Sequence, residues 1–110
     1  MLSIVVLISG SGSNLKALLE ATDNPLFGAK IVSVGSDNAA DGLAHAERFG
    51  VPTFVVSPAS FDTRENWANV LLANINHFNP DLVVLAGFMR ILPPSFVSAL
   101  SPNLINTHPS

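Results

Sequence analysis

Apolar residues arrive in short continuous blocks, separated by stretches where they recur every three or four positions, an alternation that predicts strands and helices in turn. Residues 4–8 form an apolar run rich in β-branched side chains that ends in Ser9-Gly10-Ser11-Gly12-Ser13. This predicts a buried parallel strand running into a tight turn. Leu15, Leu18, Leu19 and Thr22 follow at helical spacing, with Ser13 or Asn14 available to cap the first turn. Residues 31–34 read as a second strand, and Leu43, Ala46 and Phe49 as a short helix stopped by Gly50. Residues 51–56 read as a third strand, in which Pro52 belongs at the strand start or the sheet edge. Trp67, Leu71, Ile75 and Phe78 mark the longest helix, Asp62 and Glu65 resemble a capping box, and Asn79-Pro80-Asp81 ends it. Residues 82–86, the most apolar strand, are expected at the sheet centre. Pro93-Pro94 starts a short helix reaching Leu100, and residues 104–107 form the fifth strand.

Five strands alternating with four helices give an α/β fold: a doubly wound, Rossmann-like parallel sheet with right-handed crossovers. A chain of 110 residues suits one core, so residues 1–110 are read as one domain. Charged residues make up 12% of the chain, about half of the roughly 25% usual for soluble domains. Part of the surface is therefore expected to be covered by a partner or by further chain. The net charge of −3 and the five scattered Lys and Arg residues offer no basic stripe for nucleic acid. No apolar run approaches the roughly 20 residues that span a bilayer, and no signal peptide is legible. Zero cysteines exclude disulfides and thiolate chemistry and fit a cytoplasmic setting.

The turn at residues 9–14 places backbone N–H groups at a helix N-terminus, which makes an anion seat. It lacks the lysine of a Walker loop and the third glycine of GxGxxG, since Leu15 stands there. A mononucleotide phosphate fits it better than a pyrophosphate, and the alternative is a turn that needs glycine for geometry alone. Asp37, after the second strand, keeps a ribose-binding role open but reads more simply with Asn38 as a loop or helix cap. His45 and His77 lie on predicted helices without ligand spacing, so no metal site is expected. Asn106 and His108 sit two residues apart at a strand end and project to one side, where they can converge on a reacting group. Gly87-Phe88-Met89-Arg90-Ile91-Leu92 is either core with one solvated charge or an apolar slot for a heteroaromatic ring, lined by Met89, Ile91 and Leu92.

Taken together, Gly10-Ser11-Gly12-Ser13-Asn14, Leu85-Ala86-Gly87-Phe88-Met89-Arg90-Ile91-Leu92 and Leu104-Ile105-Asn106-Thr107-His108-Pro109-Ser110 resemble the phosphoribosylglycinamide formyltransferases, the folate-dependent transformylases of purine synthesis. The resemblance runs over residues 4–110. It implies transfer of the formyl group of 10-formyltetrahydrofolate to the amine of glycinamide ribonucleotide, with formylfolate as co-substrate and no metal. It also implies that Gly12, Ser13 and Asn14 hold the ribonucleotide phosphate, and that Arg64, Met89, Arg90, Ile91, Leu92 and Asn106 contact the formylfolate. Asn106 and His108 are then the catalytic pair, with His108 the proton donor.

The chemistry needs such groups, because amine attack on the formyl carbon builds negative charge on its oxygen, and an amide and an imidazolium can both donate there. The family's second half, with an aspartate that tunes the histidine, follows the His-Pro-Ser element. The 110 residues are accordingly expected to be an amino-terminal half, inactive alone. Methionyl-tRNA formyltransferase and formyltetrahydrofolate hydrolase share part of the pattern, and a non-enzymatic nucleotide-phosphate-binding module is the remaining alternative. The acidic balance and the Gly-Ser-Asn turn disfavour the tRNA enzyme.

Overall fold

The computed structural model describes residues 1–107. Among them, β1 (Leu2–Ile8), β2 (Ala29–Ser36), β3 (Thr53–Val55), β4 (Leu82–Ala86) and β5 (Leu104–Thr107) form one sheet. Its order is β3-β2-β1-β4-β5 and every pairing is parallel. The helices are α1 (Ser13–Thr22), α2 (Leu43–Arg48), α3 (Arg64–His77) and α4 (Pro94–Leu100), and short 3₁₀ turns at Pro25–Phe27 and Pro58–Ser60 interrupt two connections. The doubly wound architecture expected from the hydrophobic pattern is the one observed.

Alternation along β1 builds the two layers. Ile4, Val6 and Ile8 pack with Leu15 and Leu19 of α1 and with Leu43 and Ala46 of α2. Val5 and Leu7 face the other way, onto Trp67, Leu71 and Ile75 of α3 and Phe96 of α4. Successive strand residues point to opposite faces, so a strand covered on both sides must be apolar throughout.

This explains why the expected central strand is displaced: β1, not β4, stands in the middle of the order. Both strands are covered on two faces, and apolarity reports that coverage rather than rank in the sheet. Local signals also differ from expectation. The third strand is shorter than residues 51–56, leaving Pro52 just outside it, where its carbonyl accepts from Val34 N–H (3.0 Å). The cap of α3 is Thr63, whose hydroxyl oxygen accepts from Asn66 N–H at 3.0 Å, rather than an Asp62–Glu65 box.

At the amino edge of the sheet, Asp81 ties β4 to β1. Its Oδ2 accepts from the Ser3 backbone N–H (2.8 Å) and hydroxyl (3.0 Å). These donors, the backbone one first, hold the Asp81 carboxyl below the usual carboxylate range. A carboxylate depressed in the folded state contributes stability that is present above its unfolded pKa and lost as pH falls through the folded one. Asp81→Asn is therefore expected to lower Tm at about pH 7, with the gap to wild type closing by about pH 2. A gap that stays constant across that acid range would remove the carboxylate from the argument.

Candidate active site at the carboxyl edge of the sheet

β1 and β4 are neighbours, yet the chain leaves β1 for α1 on one face and leaves β4 for α4 on the other. Where connections diverge like this, a crevice opens beyond the carboxyl ends of the strands, and α/β sheets bind ligands there. A cavity of about 260 Å³ occupies it, lined by the turn at residues 9–14 and by Ala86, Gly87 and Met89.

Gly12 stands at the N-cap of α1 in the left-handed region, φ 72°, and no side chain caps the helix. Ser13 and Asn14, expected as caps, are already the first helical residues. The first-turn N–H groups and the positive end of the helix dipole are thus left for an anion. Beneath the turn lies the start of α2. Gly42 N–H donates to Gly10 O at 3.0 Å, and a Cβ on Gly42 would stand 2.8 Å from Gly10 O and 2.9 Å from Gly12 Cα. Backbone packs on backbone here, which glycine alone permits. His45, on α2, is half-buried beside Gly12, and its Nδ1 has no hydrogen-bond partner among the described residues.

The loop at residues 87–92 is anchored from within. Phe88 stacks on Trp67 with ring centroids 6.2 Å apart, and the Trp67 indole N–H donates to Val56 O at 2.8 Å. Arg64, at the start of α3, donates to Ile91 O at 2.7 Å, and Met89 N–H donates to Ser9 Oγ at 2.8 Å. Leu92 packs against the core. The apolar side chains left facing out are Met89 and Ile91, 79% and 77% exposed. Apolar exposure of this size on a pinned loop marks a surface made to be covered.

Arg90 is not a solvated lone charge. Its Nε donates to Asp37 Oδ2 at 2.6 Å, with Asp37 3% and Arg90 47% exposed. The asymmetry has a consequence for stability. Without Arg90 a buried carboxylate keeps, among the described residues, the Asn38 amide alone, which donates to Asp37 Oδ1 at 2.9 Å, whereas without the Asp37 charge the guanidinium can turn to water. Arg90→Met is expected to cost about 2–3 kcal/mol and Asp37→Asn about 1 kcal/mol. Urea midpoints in the opposite order would contradict this. Arg64, Arg90 and Trp67 line a further cavity of about 160 Å³ with Pro58, Phe61, Asp62 and Thr63.

Asn106 lies on β5 opposite Leu85 and is exposed. The next pair, Ala86 with Thr107, reaches the crevice through Ala86. His108 lies outside the described residues. No described helix is long and apolar enough to cross a membrane.

Residues 2–110 match the profile of the family described as formyl transferase. The chain belongs to that family. It is 44% identical over 110 residues to phosphoribosylglycinamide formyltransferase of Escherichia coli (strain K12), covering 99% of this chain and 52% of that protein. It is 43% identical over 108 residues to the trifunctional purine biosynthetic protein adenosine-3 of Homo sapiens, covering 97% of this chain and 11% of that protein. Two solved phosphoribosylglycinamide formyltransferases share the fold. That of Brucella melitensis has a TM-score of 0.95 at 41% identity, covering 98% of this chain and 57% of its own. That of Coxiella burnetii has a TM-score of 0.94 at 43% identity, covering 98% and 51%. The chain spans about half the length of these bacterial relatives.

Within this formyltransferase chain, Gly12, Ser13, Asn14 and Met89 share one cavity, and Arg64 and Arg90 line another beside the same loop. Ile91 stands on that loop facing out, Leu92 faces the core, and Asn106 is on the next strand. Sequence reasoning missed Gly42 and the Asp37–Arg90 pair. Gly42 carried a faint signal, a glycine opening a helix; the ion pair carried none, because its members are 53 positions apart.

Proposed function

We propose that this chain supplies the phosphate seat and the formyl-donor loop of a phosphoribosylglycinamide formyltransferase. Such an enzyme moves the formyl group of 10-formyltetrahydrofolate to the amine of glycinamide ribonucleotide in purine biosynthesis. The observation that carries this reading is the crevice with two unlike walls, uncapped helix amides on one side and Gly87 with Met89 on the other. A transfer between a phosphorylated amine and a flat heteroaromatic carrier needs both reactants in one cleft, with reacting atoms about 3–3.5 Å apart.

In this reading Gly12, Ser13 and Asn14 hold the phosphate, while Arg64 and residues 89–92 hold the formylfolate. The amine attacks the formyl carbon, the carbonyl oxygen gains charge, and the Asn106 amide donates to it. The attacking amine releases a proton to solvent, and His108 supplies one to the departing folate nitrogen as the tetrahedral intermediate collapses and the carbon–folate nitrogen bond breaks.

The test is formylation by the full-length protein of three acceptors: glycinamide ribonucleotide, the same molecule lacking its phosphate, and methionyl-tRNA. The ribonucleotide is expected to be formylated. The dephosphorylated acceptor should lose about a hundredfold or more in kcat/KM, since the seat is left with unpaired donors. Formylation of the tRNA in preference to the ribonucleotide would overturn the assignment.

A further inference from the structure

Three loops meet over the carboxyl end of β1, and their hydrogen bonds close into a ring. Asn38 Nδ2 donates to Ser9 O (3.0 Å) and to Asp37 Oδ1 (2.9 Å). Arg90 Nε donates to Asp37 Oδ2 (2.6 Å), and Met89 N–H donates to Ser9 Oγ (2.8 Å). Since Met89 adjoins Arg90 and Asp37 adjoins Asn38, the circuit is complete. Both oxygens of the buried Asp37 are engaged, one towards each side. β2 and β4 flank β1, so this carboxylate bridges the central strand and joins the loop of the folate wall to the turn of the phosphate wall.

Ser9 is the shared node. An anion that draws the amides of the turn towards itself pulls on Ser9, which is tied through its hydroxyl to Met89 and through its carbonyl to Asn38. The same event therefore acts on the position of the loop that presents Met89 and Ile91. A second ligand then meets a wall already drawn into place, which is positive coupling between two sites.

We propose that Asp37 is a positioning residue that couples the two walls of the crevice, so that filling the anion seat tightens binding of the folate ring against the loop at residues 87–92. This rests on the function proposed above and adds to it a thermodynamic link between its two substrates. Asp37 touches neither of them; it acts through Arg90 and Asn38.

The experiment measures tetrahydrofolate affinity of the full-length protein by calorimetry, with and without saturating glycinamide ribonucleotide, beside steady-state kinetics. In wild type the ribonucleotide is expected to tighten folate binding about fivefold or more. In Asp37→Asn that gain should vanish, and the KM for the formyl donor should rise by about the same factor while kcat stays within about threefold. A merely structural loss would instead scale kcat with the folded fraction and leave KM unmoved.

Ser9→Ala provides a second route, because it cuts the link to Met89 without unpairing a buried charge; it should abolish the gain as well. The double variant Asp37→Asn, Ser9→Ala should lose no more of the gain than either single change, since one circuit is broken in all three. An unchanged gain in both Asp37→Asn and Ser9→Ala, or no gain in an active wild type, overturns the coupling and leaves the proposed function standing. A wild type that neither formylates the ribonucleotide nor binds tetrahydrofolate overturns that function and the coupling with it.

Discussion

Asn106→Ala in the full-length protein is expected to lower kcat for formyl transfer by about 10²–10³, with both substrates still binding. The expectation follows from what the reaction demands. Charge develops on the formyl oxygen only as the amine attacks, so a donor aimed at that oxygen acts on the transition state and scarcely on the ground state. Asn106→Asp should be no better than alanine despite its shape, because a carboxylate accepts and would face the oxyanion with like charge. Asn106 is exposed on β5 among the described residues, so truncation opens no hole in the core that these residues build. His108→Ala should cost about 10²–10⁴ in turnover, the usual range for a general acid, and should flatten the neutral limb of the pH–rate profile. Near-normal kcat in either variant, or equal losses in kcat and in the affinity for both substrates, would remove the assigned roles.

The parts of this molecule that were legible in the sequence are those governed by short-range periodicity. The run at residues 4–8 and the alternation of strand and helix gave all five strands and the winding of the sheet, because burial on both faces leaves an unmistakable apolar block. The turn at residues 9–14 was legible for a related reason: glycine at a strand-to-helix junction signals a backbone conformation other residues resist. Relations between distant segments were not legible. Nothing local to residues 82–86 says that β1 takes the centre, nothing near Asp37 announces Arg90, and nothing in residues 87–92 tells which apolar side chains face out. Phe88 turns inward because Trp67 offers it a parallel ring, and Leu92 packs against the cluster that includes Phe96 of α4; Met89 and Ile91 are exposed as the remainder. The capping error has a different origin. Asp62 and Thr63 are both good caps; α3 starts at Arg64, one residue later than a cap at Asp62 would require, so Thr63 takes the cap and Glu65 falls at the second helical position instead of the third that a capping box needs.

The second large effect is expected at Gly42, far from any reacting atom. An added methyl group would lie 2.7 Å from Ile8 Cδ1, 2.8 Å from Gly10 O and 2.9 Å from Gly12 Cα. The first contact can relax by rotation of a flexible side chain, but the other two are backbone, and the turn itself must move. Gly42→Ala should therefore raise the KM for glycinamide ribonucleotide by about tenfold to a hundredfold, the scale of loss when a reactant seat shifts by about 1 Å, and cost about 1–3 kcal/mol of stability as overpacking. Gly50→Ala separates these two effects. Gly50, unlike Gly42 at φ −61°, holds a left-handed conformation, φ 71°, and nothing lies within 4 Å of its added methyl group. It should lose about 1–2 kcal/mol to backbone strain and keep its KM. If both variants lose stability but only Gly42→Ala loses ribonucleotide affinity, the contact between α2 and the turn sets the anion seat. Equal KM values in the two variants would mean that the turn keeps its geometry without the support of Gly42.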